Sequence, residues 1–183
     1  MNMLPFQLFA LAVYVPIRSG VALVQKKRLN LLRELTVLLL LVSLIGVLSQ
    51  AVLPKIQWVD GELRFLFIGE HHTNLIPFAV IAKTADELNR GNLSALLINV
   101  IGNIAVFVPI GFFPTLLWEL KLRQVLLVGF LTSLFIEVTQ LFLPRYTDAD
   151  DLILNTFGAF IGYLLCCGAY KVFPRLQEKI RSK

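Results

Sequence analysis

The sequence predicts an all-α, polytopic membrane helix bundle with about five transmembrane helices, and three observations carry that prediction. Of 183 residues, 57% are hydrophobic and only 16% charged, against about a quarter charged in soluble domains, and mean hydropathy is +0.75. Uncharged runs long enough to cross about 30 Å of hydrocarbon recur along the chain. Lys and Arg gather at the ends of those runs instead of spreading over a surface. The length leaves room for about four to six spans of about 20 residues, hence one bundle and no separate soluble domain.

The first segment, Met3 to Leu23, contains Pro5, Pro16, Arg18 and Gly20. It is the weakest span, kinked or partly interfacial. It lacks a basic leading region, so it reads as a retained span and not as a secretory signal. The second, Leu35 to Pro54, carries no charge and matches the hydrocarbon thickness at helical rise. Residues 55–90 mix charges with apolar islands and read as a long membrane-hugging loop. Within it a short amphipathic helix is predicted after Pro77, because proline is favoured at the first helical position and Ala79, Ile81, Ala82, Ala85 and Leu88 follow.

The third span lies in the uncharged stretch Gly91 to Trp118, starting near Leu96, with Pro109 and Pro114 kinking or ending its far half. The fourth is Gln124 to Pro144 and the fifth Asp151 to Tyr170. Asp148, Asp150 and Asp151 supply the fifth with an N-cap and favourable charge. Twelve of the 17 basic residues fall on one side of this arrangement. The positive-inside rule then puts the N-terminus outside and the C-terminus in the cytoplasm. The chain divides into residues 1–54, two helices with a basic cytoplasmic loop, and residues 55–183, an extracytoplasmic loop and three helices.

The net charge of +5 resides in these topology signals and not in an aromatic-interleaved patch, so no nucleic-acid partner is expected. Cys166 and Cys167 are adjacent in the last span, a spacing that suits neither a disulfide framework nor a metal, and they read as reduced structural residues with acylation as the alternative. His71 and His72 face apart on regular structure, so no metal site is expected there. No cofactor is expected, and no internal repeat is visible.

Glu137 demands an explanation, because an ionised carboxylate within a span costs several kcal/mol, about 2.5–3.5 on insertion scales, unless partnered or protonated. Ser133, Glu137 and Gln140 form one helical stripe, Asn99 and Asn103 a second, and Asp151 and Asn155 a third with Gly158 and Gly162. Counted from the span ends, Glu137 and Asn103 lie about 10 Å below the outer mouth, Asn155 about 6 Å, and Ser133 a full turn deeper than Glu137. These counts predict a polar pocket open to the extracytoplasmic face, with Arg145, Asp148 and Asp151 above it. The plainer readings are interhelical hydrogen bonding by the amides, at about 0.6 kcal/mol each, an ion pair of Glu137 with Arg145, and a capping role for Asp148. Gly158 and Gly162 read as a close-packing face.

The ordered pattern resembles a known family. It runs Asn74-Leu-Ile-Pro-Phe, Asn99-Val-Ile-Gly-Asn103, Phe107-Val-Pro-Ile-Gly111, Ser133-Leu-Phe-Ile-Glu137-Val-Thr-Gln140, and Arg145-Tyr-Thr-Asp148-Ala-Asp-Asp151-Leu-Ile-Leu-Asn155-Thr-Phe-Gly158. Over residues 70–165 it is similar to the VanZ-like bacterial membrane proteins, named for a member associated with teicoplanin resistance. The resemblance implies a multi-pass protein of the bacterial cytoplasmic membrane acting at its outer face, and it supplies no established reaction.

Three functions stay open at the sequence level. In the first, Asn74, Asn99, Asn103, Glu137, Gln140, Arg145, Asp148, Asp151 and Asn155 bind the head group of a membrane lipid or lipid-linked cell-wall precursor, amides meeting sugar or peptide and Arg145 a phosphate. In the second, an intramembrane enzyme uses Glu137 as acid or base with Asp148 or Asp151 as partner, or holds a divalent cation on these carboxylates. In the third, Glu137 serves a proton- or ion-coupled transporter, a reading weakened by the lack of a repeat.

Overall fold

A computed structural model describes residues 4–25, 30–52, 54–59, 62–66 and 72–181, and most of them are helical. The long helices are α1 (Leu4–Gln25), α2 (Leu31–Ala51), α5 (Asn103–Trp118), α6 (Leu122–Gln140) and α7 (Ala149–Val172). Shorter ones are α3 (Ala79–Asn89), α4 (Leu93–Leu96) and α8 (Leu176–Arg181), and a π-helical turn, Leu97–Gly102, joins α4 to α5. Among the described residues four helical stretches are long and apolar enough to cross a membrane: Leu31–Ser49, Leu93–Trp118, Leu122–Gln140 and Ala149–Val172. In α1 the apolar run Leu11–Val21 is shorter, as the prolines and Arg18 foreshadow.

The outer surface is that of a protein solvated by lipid. Phe135 is 59% exposed and Ile98 71%, exposures that would make a large apolar patch in water. The interior is assembled around α7. Gly111 of α5 faces Ala159 so closely that an added Cβ would sit 1.9 Å from the Ala159 carbonyl oxygen. Gly158 and Gly162 meet the Ile104 and Val108 carbonyls in the same way, at 2.2 and 2.0 Å. Only glycine permits this approach, and it gives α5 and α7 the dry, backbone-close seam that replaces the hydrophobic effect as the driving force in lipid. Gly129 brings α6 against Ala159 as well. Pro109 and Pro114 lie inside α5 and do not end it. The helix stops after Trp118, where Glu119 turns left-handed at φ 54°.

The described residues between 55 and 90 carry more regular structure than a membrane-hugging loop. Strands β1 (Lys55–Val59) and β2 (Glu62–Leu66) form an antiparallel hairpin, and β3 (His72–Asn74) pairs in parallel with β4 (Tyr146–Asp148), bringing Asn74 opposite Asp148. The helix expected after Pro77 begins at Ala79, two residues later than proline at its first position would place it. The fourth span ends at Gln140 instead of Pro144, and turns follow before β4.

At the opposite end of the bundle, α8 folds back under α2 and α5. Asn30 donates to the Lys179 carbonyl at 2.6 Å, and Ile180 is buried with Leu40, Leu116, Leu117 and Cys166. Arg18 and Tyr14 of α1 both bond the Glu34 carboxylate of α2, Tyr14 at 2.6 Å, fastening the first helix to the second.

Candidate functional site

The N-terminus of α7 is the centre of the polar end. Asp148 caps the helix, its Oδ1 accepting from the Asp150 amide at 2.9 Å, as the acidic run predicts. Its other oxygen accepts from the Asn74 side-chain amide at 3.2 Å, and Asn74 Oδ1 in turn closes a local turn on the Ile76 amide. The Asp148 backbone N–H donates to Glu137 Oε2 at 3.0 Å. One residue therefore ties the β3 segment, α6 and α7 together, and the buried Glu137 is oriented by a backbone donor.

Asp151 lies one turn along. Its Oδ1 accepts from the Asn103 side-chain amide at 2.5 Å, and Asn103 Nδ2 also reaches the Asn99 carbonyl. The carboxylates of Asp148 and Asp151 are both within electrostatic reach of Glu137. Among the described residues no three His, Cys, Asp or Glu side chains converge to hold a metal ion. Each carboxylate here is turned to a donor of its own. Arg145 stands between α6 and β4, half-buried, where partial desolvation lowers its pKa below the usual guanidinium value. It stays cationic at neutral pH. Its carbonyl accepts from the His72 amide at 3.4 Å, and the His72 ring lies 5.6 Å from that of Tyr146.

Three expectations require correction. Asn155 does not share the Glu137 layer: its amide donates to Ser133 Oγ at 2.9 Å, buried, one turn deeper. The depth count failed because Pro144 and Asp151 were treated as a common mouth, whereas the chain leaves α6 at Gln140 and Asp148 returns to the level of Glu137. Gln140 turns toward α2 and donates to the Ala51 carbonyl at 3.2 Å, away from Asp148. Asn99 is exposed and contributes its backbone carbonyl, since the π-helical turn at Leu97–Gly102 disrupts the regular spacing on which its stripe with Asn103 was counted. His71, half of the histidine pair, lies outside the described residues.

One residue was overlooked as more than a helix-start charge. Asp150 is fully buried, and its carboxylate accepts from the backbone amides of Phe78, Val80 at 2.8 Å and Ile81 at 3.0 Å. It is the N-terminal cap of α3, supplied from about 70 positions away. The signal was available: α3 follows Pro77 and Phe78 and has no Ser, Thr, Asp or Asn at its own N-cap, so its first amides needed a remote acceptor. Phe78 holds the left-handed conformation at φ 65°, a strained choice for a bulky residue, and its N–H is one of the three that Asp150 receives.

The arrangement offers a buried, oriented carboxylate, two flanking carboxylates and two amides with fixed partners. Thr147, opposite Thr73 in the β3–β4 pair, is buried with its hydroxyl lacking a partner among the described residues. Below this layer an apolar cavity of about 300 Å³ opens between α2 and α6, lined by Leu44, Val47, Leu48, Leu131, Thr132 and Phe135. The family model described as VanZ/LLP1 matches residues 35–172, a stretch that takes in α2 as well as α3 to α7. No curated protein and no solved structure shows a significant match.

Proposed function

The chain belongs to the VanZ/LLP1 family of membrane proteins, and from that premise we propose that its polar end binds the head group of a membrane lipid, a lipid-linked cell-wall precursor being the preferred class. One observation carries the reading: Glu137, Asp148 and Asp151 gather at one end of a multi-pass bundle, with Arg145 three residues before Asp148 in the chain. Three carboxylates in a low-dielectric layer repel one another unless cations or donors offset them. A head group carrying both an amine and a phosphate supplies that complement, its amine toward Glu137 and Asp151 and its phosphate toward Arg145. The α2–α6 cavity lies where a hydrocarbon tail would descend.

The distribution of Lys and Arg orients this end away from the cytoplasm, with the C-terminus inside. In a bacterial cytoplasmic membrane the polar end would then meet wall precursors in the outer leaflet and so alter access of a glycopeptide such as teicoplanin. A second reading is favoured by the burial of Glu137 and its backbone donor: acid–base chemistry on the same lipid-linked substrate, with Asp148 or Asp151 as partner.

Native mass spectrometry of protein purified in mild detergent tests the proposal. Wild type is expected to retain a discrete polyprenyl or glycolipid adduct that is lost in Asn103→Ala and Glu137→Gln. Bulk phospholipid alone, unchanged in both variants, would overturn it. Turnover of the retained lipid by wild type, abolished in Glu137→Gln, would establish the enzymatic reading.

A further inference from the structure

We propose that the opposite, basic end of the bundle carries a second lipid site, formed by α8 and the end of α7, that takes an anionic phospholipid. The element is built to hold position. Leu176 and Ile180, four apart, face inward, Ile180 only 1% exposed against Leu40 and Leu116, and the Asn30 side chain bonds the Lys179 carbonyl at 2.6 Å. Arg175 and Lys179, also four apart and joined by the Lys179 N–H to Arg175 carbonyl bond at 3.1 Å, are the exposed counterparts of that anchored face. Residues at this spacing lie side by side on a helical turn, so two cations are presented together from a fixed support.

Beside them is an apolar floor. Val172 is 68% exposed and Phe173 62%, where the chain leaves the last span. A cavity of about 380 Å³ is lined by Val172, Phe173, Pro174, Arg175, Leu176 and Lys179. Four basic residues, Lys171, Arg175, Lys179 and Arg181, fall within this stretch against the single carboxylate of Glu178. Basic clusters directly beside a span recognise anionic head groups. Free phosphate would use the cations but not Val172 and Phe173; a zwitterionic lipid would use the floor but gain little from the cations. An anionic phospholipid uses both. This site stands apart from the polar end and whatever binds there.

The test compares phosphatidylglycerol with phosphatidylcholine of matched chains, added to delipidated protein and followed by native mass spectrometry. Wild type is expected to retain phosphatidylglycerol preferentially, with the preference reduced about fivefold in Arg175→Gln or Lys179→Gln and further in the double variant. The charge-conserving Arg175→Lys is expected to keep it. Equal retention of the two lipids, an undiminished preference in the double variant, or displacement of the bound lipid by inorganic phosphate would each overturn the proposal.

Discussion

The middle of α7 and its first turn are held by opposite means. In the middle, Gly158 and Gly162 let the helix touch the carbonyls of α5, and no polar side chain takes part in those contacts. In the first turn, Asp148, Asp150 and Asp151 engage a loop, a neighbouring helix start and an amide of α5 through side-chain hydrogen bonds. The seam costs nothing to desolvate and is intolerant of any added atom. The polar turn is expensive to bury and is held by directed hydrogen bonds. That contrast separates scaffold from site along a single helix.

The seam should break hardest. Gly162→Ala places a Cβ 2.0 Å from the Val108 carbonyl and 2.8 Å from the Phe112 amide, and because the obstacles are backbone no rotamer change relieves them. A loss of about 3 kcal/mol or more is expected, at or above the usual overpacking range, measured as a fall in melting temperature in detergent. Gly168→Ala, with nothing within 4 Å, is the matched control and should be neutral or stabilising by about 0.5–1 kcal/mol.

Next is Asp150→Ala, which strips three amides of their acceptor. With charged hydrogen bonds worth about 1.5–3 kcal/mol, a loss near 3 kcal/mol is expected. It should appear chiefly as faster hydrogen exchange at the start of α3, with Asp150→Asn intermediate. Uniform acceleration over the whole bundle would place Asp150 in the scaffold and blur the contrast.

Smaller still is Ser133→Ala. It removes one buried bond to Asn155 and should cost about 0.6 kcal/mol, the average for interhelical hydrogen bonds in membranes. A loss above about 2 kcal/mol would show that Asn155 belongs to a more extended network than the pair.

Much of the scaffold is legible in the sequence because its causes are local. Uncharged runs announce spans, Gly158 and Gly162 announce close packing at helical spacing, and Asp148 announces a helix start. The site is legible only as a list of polar residues. Which of them meet depends on pairings between distant segments: Asn74 with Asp148 across the parallel β3–β4 pair, Asp150 with Phe78, Asn155 with Ser133. Periodicity fixes the face a residue occupies but not the axial register of two helices, and that register moved Asn155 down one turn. The π-helical turn before Asn103 altered a spacing that the count assumed regular. Asp150 was detectable from the uncapped start of α3, yet nothing local names the acceptor.

Glu137→Gln tests the division between scaffold and site most directly, because the glutamine carbonyl can still accept from the Asp148 amide while the carboxyl group is lost. The measurement is thermal unfolding of wild type and variant, each with and without a polyprenyl-phosphate-linked lipid. Melting temperatures within a degree or two of each other are expected without lipid, with a rise on lipid addition in wild type, as for a ligand that binds the folded state, and no rise in the variant. A large drop without lipid, with no lipid-dependent shift in either protein, would show that Glu137 is part of the scaffold and contradict the assignment of this end as a binding site.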